Sequence, residues 1–250
     1  TNTFNTAVGF EAGKSITTGT QNSLIGYGAG TALTDADFNV AVGTNALPAD
    51  TLGSKSTAIG TQALGTQNFT TATDSFSTAV GYQAGLSITT GVENTIIGGA
   101  AGDAITTGYY NTALGKNALT TNTLSALNVA IGHSALEAMS AGGGETHNVA
   151  VGVYAGRLVT TGVQNTLLGG AAGDALTDAD NNVAVGFAAL TTETLGSHNT
   201  AVGYLTLSAS NKTTATNSYN TAVGSSAGAN VTTGVQNTLI GGLTGDALTS

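Results

Sequence analysis

The side chains that could do chemistry are few and scattered along the chain. Its 250 residues include three histidines, five lysines and arginines and fourteen carboxylates, but no cysteine. His133, His147 and His198 show neither HExxH nor another metal-ligand spacing, so we expect solvated surface histidines. Without cysteine, disulfides and thiolate metal sites are excluded. We therefore predict no resident cofactor.

Two glycine motifs resemble catalytic signatures. Gly9–Ser15 reads GxxxGKS, which is one residue short of a phosphate-binding loop and precedes no helical pattern. Gly224–Gly228 reads GSSAG and matches the GxSxG nucleophile elbow around Ser226, again without a strand-to-helix context. Both motifs coincide with glycines that repeat along the whole chain. We predict no enzyme activity.

Paired carboxylates suggest the one candidate metal site. Asp35 and Asp37 lie in TDADFN, and Asp178 and Asp180 lie in TDADNN. Carboxylate and amide oxygens suit Ca²⁺, which makes these four residues candidate ligands. The equivalent turn between them keeps Asp103 but loses the pair. A missing pair favours ordinary solvated turn carboxylates over a row of cations.

The element that must position all these residues is a repeat. The glycine of the phrase [NS]-x-x-[VIL]-G recurs at a regular interval, and every fourth interval is longer than the three before it. Every fourth coil is thus longer than the others, and the pattern gives fourteen coils. The repeated glycines are Gly9, Gly26, Gly43, Gly60, Gly81, Gly98, Gly115, Gly132, Gly152, Gly169, Gly186, Gly203, Gly224 and Gly241.

Asparagine stands four residues before the repeated glycine in twelve of the fourteen coils. Stacked asparagines can form a side-chain ladder that satisfies turn amides. The predicted structural ladder comprises Asn5, Asn22, Asn39, Asn94, Asn111, Asn128, Asn148, Asn165, Asn182, Asn199, Asn220 and Asn237.

The three residues before each glycine favour a short strand, and the interval from Gly9 to Gly26 is too short for a strand–helix–strand crossover. We therefore predict an all-β chain, a parallel β-solenoid (β-roll) of fourteen ~17-residue coils in a four-coil superperiod, as one repeat domain over residues 1–250. Val8, Ile25, Val42 and Ile59 should stack in one buried row. Ala7 should lie on the opposite strand face, open to a neighbouring subunit.

The phrase NTAVGxxA, complete at Asn5–Ala12 and Asn220–Ala227, resembles repeats of phage tail-fibre and bacterial adhesin-like proteins. It is similar to the NSVAIGxxA motif in head domains of trimeric autotransporter adhesins. That resemblance implies a left-handed β-roll, a homotrimer and an extracellular location, on a virion tail fibre or a cell surface. The chain would then be a segment of a longer fibre protein.

The composition limits the classes of partner that the chain is expected to bind. The net charge is −9, and the five basic residues are dispersed, which argues against nucleic acid. No apolar run reaches the ~18 residues of a membrane span, so we expect no membrane insertion. Few inward side chains per coil predict a thin core, which a homotrimer would supplement.

Function beyond scaffolding would be expected in the long fourth coils. Their insertions lie within Gly65–Ser77, Glu137–His147 and Ser208–Tyr219 and are polar with some aromatics. The aromatic residues Phe69, Phe76 and Tyr219 are candidate contacts with a cell-surface glycan or receptor.

These features predict a rigid spacer in an extracellular fibre. One alternative is a subunit of a self-assembling extracellular filament. Another is a solenoid that binds glycans or ice. The recurring TTG triplets suggest ice binding, but they occupy mainly the first coil of each four.

Overall fold

The computed structural model describes residues 3–140 and 142–250. The chain is a parallel β-solenoid of about fourteen turns, and its three-residue strands recur at the interval of the sequence repeat. It divides into two compact units, Thr1–Ala126 and Leu127–Ser250. Within the described ranges there is no helix, and hence none long and apolar enough to cross a membrane.

Each unit stacks seven three-residue strands and adds two-residue strands at its turns. The strands of the first unit are β1 (Thr6–Val8), β2 (Ser23–Ile25), β3 (Val40–Val42), β4 (Gly53–Ser54), β5 (Thr57–Ile59), β6 (Thr73–Asp74), β7 (Thr78–Val80), β8 (Thr95–Ile97), β9 (Thr112–Leu114) and β10 (Ser125–Ala126). Those of the second are β11 (Val129–Ile131), β12 (Gly144–Glu145), β13 (Val149–Val151), β14 (Thr166–Leu168), β15 (Val183–Val185), β16 (Gly196–Ser197), β17 (Thr200–Val202), β18 (Thr216–Asn217), β19 (Thr221–Val223) and β20 (Thr238–Ile240).

The strand register follows the sequence repeat. Strand β1 pairs with β2 in parallel, so that Ala7 lies beside Leu24, its equivalent in the next coil. Where a long coil intervenes, β5 pairs with β7, and Ile59 still lies beside its equivalent, Val80. The additional residues therefore leave the strand register unchanged.

The residues of the predicted valine row do stack in register, but they face outward. Val8, Ile25 and Ile59 are exposed and Val42 is half-buried, whereas Leu24 in the neighbouring column has no exposed surface. The prediction of a buried row was wrong. The expectation that the column of Ala7 would face a neighbouring subunit was also wrong, because that column forms the core.

The asparagine explains this orientation. Asn22 and Leu24 are two residues apart and therefore lie on the same strand face. Asn22 is buried, and its Nδ2 donates to the carbonyl oxygen of Ala36 at the end of the same coil, 2.7 Å away. Alternation then sends Ser23 and Ile25 outward.

The narrow core is filled because large side chains in some coils occupy the space beside glycines in the same or a neighbouring coil. In the first two coils of each four, the position four residues after the repeated glycine is itself glycine. A Cβ on Gly30 would lie 2.8 Å from side-chain carbons of Leu24 and Leu33, so these leucines occupy that space. In the next two coils Leu47 and Leu64 fill the same position. The core is therefore continuous although the sequence of each coil differs.

The tight coil depends on left-handed backbone conformations. Gly26 has φ 134°, and a Cβ there would meet the carbonyl oxygen of Gly43 at 2.5 Å. Only glycine fits where successive coils approach so closely. Leu47 and Leu64 also have positive φ, 49° and 50°, and their burial compensates for that strain.

Candidate interaction surface

The most extensive candidate surface is the outer face of the sheet, formed in each unit by the first and third residues of the three-residue strands. The first residue is Thr, Ser or Val, and the third is Val, Ile or Leu. The third residues are Val8, Ile25, Val42, Ile59, Val80, Ile97 and Leu114 in the first unit, and Ile131, Val151, Leu168, Val185, Val202, Val223 and Ile240 in the second. All are exposed or half-buried. Each unit thus carries an apolar row that its own fold leaves uncovered.

Exposed aromatic side chains flank this face two residues beyond the strand on either side. Phe10 and Tyr27 stack with ring centroids 5.6 Å apart, and Phe187 and Tyr204 do so at 5.9 Å. On the other margin, Tyr219 stacks on an imidazole ring. These rings extend the apolar surface sideways.

Charges are nearly absent from the face and its two margins. Within the described residues, Glu93 is the only one of the fourteen carboxylates in these columns. Two basic residues, Lys55 and Lys116, also lie there. The other thirteen carboxylates lie elsewhere on the coils. A chain of net charge −9 therefore keeps one face almost free of negative charge.

The three histidines occupy the margins of this face in the second unit. The rings of His133 and Tyr154 meet edge to face at 5.5 Å, and those of His198 and Tyr219 are stacked at 5.0 Å. His147 lies 3.4 Å from Glu145. Among the described residues, no three His, Asp or Glu side chains are grouped to hold a metal ion.

The three candidate aromatic contacts have different environments. Phe76 and Tyr219 are exposed at the margin of the outer face. Phe69 is only 6% exposed and lies at the base of its insertion, where its N–H donates to Asp50. Its prediction as a surface contact was wrong, because an aromatic ring at the base of the loop is covered by the coil.

The asparagine column forms a side-chain ladder inside each unit, which Ser56 and Ser77 interrupt in the first unit. Asn5 Oδ1 accepts from the backbone N–H of Asn22, at 2.8 Å, and Asn22 Oδ1 accepts in turn from that of Asn39, at 2.9 Å. In the second unit Asn148 and Asn165 make the same contact at 2.9 Å. These amides satisfy backbone groups where the chain enters each strand, which is a structural role.

The four candidate calcium ligands accept hydrogen bonds from the preceding coil. Asp35 and Asp178 each accept from a threonine hydroxyl. Asp37 accepts from the N–H and hydroxyl of Thr20, and Asp180 accepts from a backbone N–H at 2.8 Å. The two members of each pair thus bind different groups, and both pairs serve to connect coils.

A threonine column escaped the sequence analysis. Eight residues after the repeated glycine, Thr34 Oγ1 donates to the carbonyl oxygen of Thr51 at 3.0 Å, and Thr106 Oγ1 donates to that of Thr123 at 2.9 Å. The first threonine of each TTG belongs to this longer column. Because these hydroxyls already bond to backbone, they connect coils and are poorly placed to bind ice. The signal in the sequence was a threonine that recurs eight residues after the repeated glycine. The members of this column are Thr17, Thr34, Thr51, Thr89, Thr106, Thr123, Thr160, Thr177, Thr194, Thr232 and Thr249.

Two buried carboxylates also escaped the sequence analysis. Asp50 Oδ1 accepts from the N–H groups of Gly53 and Phe69, each at 3.0 Å. Glu193 occupies the equivalent position in the second unit and is likewise fully buried. Both carboxylates tie a turn of their own coil to the base of the following insertion. An acidic residue at a position where the preceding coil carries leucine, Leu33 or Leu176, was the available signal.

The GSSAG motif lies within an ordinary coil of the solenoid. Gly224 and Gly228 are glycines of the repeat, and the N–H of Ser226 pairs with the carbonyl of Tyr204 at 2.7 Å. The part of the chain that the structure describes has no cleft that would enclose a small ligand. Comparisons with family models, with curated proteins and with solved structures find no match to this chain.

Proposed function

We propose that the chain is a structural segment of an extracellular fibre, a rigid spacer whose copies associate as a homotrimer through their outer faces. The outer face is the observation that supports this best. Monomeric soluble proteins rarely expose a continuous apolar strip of this kind, and such strips mark interaction sites. The likeness of NTAVGxxA to phage tail-fibre and adhesin repeats supports the extracellular setting.

Further copies of the same chain are the occupants that fit this face. Contact through the other faces would bring together the carboxylates of a chain with net charge −9. The outer faces offer each other Val, Ile, Leu and Thr side chains with few charges. Closed symmetry would then bury the apolar row of every copy. The number three rests on the adhesin-head resemblance.

A spacer also accords with how the coils are joined. Adjacent coils are connected by parallel strand pairs, asparagine amides and threonine hydroxyls, as at Asn22, Asn39 and Thr34. Stability therefore accumulates coil by coil and needs no thick core. Glycan binding is a second candidate, favoured by exposed stacked rings such as Phe10 and Tyr27.

Light scattering on the purified chain tests the proposal. We expect a mass three times the 24.3 kDa of one chain. Replacing Val42 and Val80 by lysine places two charges on the outer face of the first unit and should lower that mass towards one chain. A control variant with lysine at Thr90 and Thr107, both exposed outside that face, should remain trimeric.

Circular dichroism of each variant establishes that the coils remain folded. A stable folded monomer of the parent chain would overturn the trimer. Open-ended polymers of the parent chain would favour the self-assembling filament. Equal dissociation of both variants would show that the outer face is not the interface.

A further inference from the structure

Glu193, Ser210 and Lys212 form a buried cluster that a spacer does not require. Glu193 is fully buried and Lys212 is 4% exposed. Lys212 Nζ lies 3.7 Å from Glu193 Oε2 and donates to Ser210 Oγ at 3.1 Å and to the carbonyl oxygen of Thr232 at 3.0 Å. Ser210 Oγ in turn donates to Glu193 Oε2 at 2.7 Å. The amine and the carboxylate are thus joined through one hydroxyl.

The other carboxylate oxygen points into a group of backbone donors. Glu193 Oε1 accepts from the N–H of Lys212 at 2.8 Å, of Gly196 at 2.9 Å and of Thr194 at 3.2 Å. Preorganised N–H donors of this kind stabilise negative charge that develops on an oxygen. Oε1 is therefore placed as the oxyanion of a tetrahedral intermediate, while Oε2 is placed as the leaving group.

We propose that Lys212 and Glu193 condense to an isopeptide bond that fastens the last long insertion to the preceding coil. A proton passes from Nζ through Ser210 Oγ to Oε2, which leaves a neutral amine and a carboxylic acid. The amine lone pair attacks Cδ, and Oε1 takes the negative charge. A second proton follows the same path, Oε2 departs as water, and the carbonyl forms again as the amide. No oxidant or further reactant is needed.

The environment favours the amide over the ion pair. Burial lowers the pKa of Lys212, and the Glu193 carboxylate acts in the opposite direction. A buried ion pair retains a larger desolvation penalty than a neutral amide. Holding the two groups together also removes the entropy cost of a bimolecular reaction. The inference is independent of the fibre function.

The first unit contains a natural comparison. Asp50 takes the position of Glu193, and Phe69 takes that of Lys212. Gln67 Nε2 donates to Asp50 Oδ2 at 2.7 Å, in the place of the Ser210 hydroxyl. This cluster holds a carboxylate with similar backbone donors but no lysine amine. The cross-link is therefore expected in the second unit alone.

Intact-mass spectrometry of the denatured full chain tests this directly. We expect a mass lower than that of the sequence by one water molecule. Trypsin cleaves only after a free lysine or arginine, so acylated Lys212 should resist it. The digest should then contain one peptide of residues 158–250 with an internal link between residues 193 and 212. Separate peptides of residues 158–212 and 213–250 would overturn the proposal.

Two variants complete the experiment. Lys212→Met keeps an unbranched side chain and should show the full sequence mass. Ser210→Ala removes the proton path, so a freshly folded sample should lose water more slowly than the parent. Full mass in the folded parent chain after prolonged incubation would contradict the inference. The same mass loss in Lys212→Met would also contradict it, because the water would have come from another site.

Discussion

Single buried polar side chains connect one coil to the next at sites that water does not reach. Asn165 is typical, since its Nδ2 donates to the carbonyl of Ala179 at 2.8 Å and its Oδ1 accepts from the N–H of Asn182 at 3.0 Å. Loss of such a partner leaves a buried group unsatisfied, which costs about 1–3 kcal/mol. Buried carboxylates in the same interior carry a larger desolvation penalty than amides.

Asp50 makes this penalty measurable through pH. Desolvation raises the pKa of its carboxyl above 3.8, although hydrogen bonds from Gln67 and Phe69 act in the opposite direction. Between the unfolded and folded pKa values the folded state binds more protons. The contribution of the protonated Asp50 carboxyl to stability is therefore full below its unfolded-state pKa. It is lost as pH rises through its folded-state pKa.

We expect Asp50→Asn, which stays neutral, to gain in free energy of unfolding relative to the parent as pH rises from about 3 to about 7. Urea unfolding of both proteins across that range measures the difference. Asn122, at the equivalent position of the second set of four coils, shows that the coil accepts an amide there. Asp35→Asn, at an exposed turn, is the control. A difference that stayed constant with pH would contradict the expectation.

At the scale of strands and turns, spacing alone predicts the fold but not which face is buried. A three-residue strand has two faces, and β-branched residues suit either of them. The spacing of Asn22 from Leu24 contains the answer, but only once the asparagine amide is known to be buried and bonded to backbone. The burial of Phe69 could not be predicted from the sequence either, because it depends on the hydrogen bond from its N–H to Asp50 in the preceding coil.

The insertions should be dispensable to the fold. Residues 70–72 and 213–215 are exposed, and the strands β4, β6, β16 and β18 lie outside these segments. Since the cost of a loop depends only slowly on its length, deletion of both segments should change the free energy of unfolding by about 1 kcal/mol or less.

If the chain is a spacer, deletion of these loop segments should leave its attachment to glycans or cells unchanged. Glycan-array and cell-attachment measurements on the folded deletion variant test this expectation. Lost attachment by a variant with unchanged unfolding would assign the insertions a binding role.

For the whole chain, the segregation of charge determines how an assembly should respond to salt. Copies joined through the outer face would be held by apolar contact, which screening does not weaken. We therefore expect the mass measured by light scattering to stay unchanged from low ionic strength to about 1 M NaCl. Dissociation at high salt would instead point to ion pairs as the main attraction between copies.

The exchange of glycine and leucine between coils has a consequence for how such a chain can grow. Leu64 covers Gly85 in the next coil, and Leu167 covers both Gly156 and Gly173. Removal or duplication of one coil would break the order of two glycine coils followed by two leucine coils, so that some glycines would lose the side chains that fill the space beside them. Recombination between homologous repeats conserves the packing only when it shifts the gene by a complete set of four. Length variants should therefore differ by whole blocks of four coils, each as long as the interval between equivalent glycines such as Gly81 and Gly152.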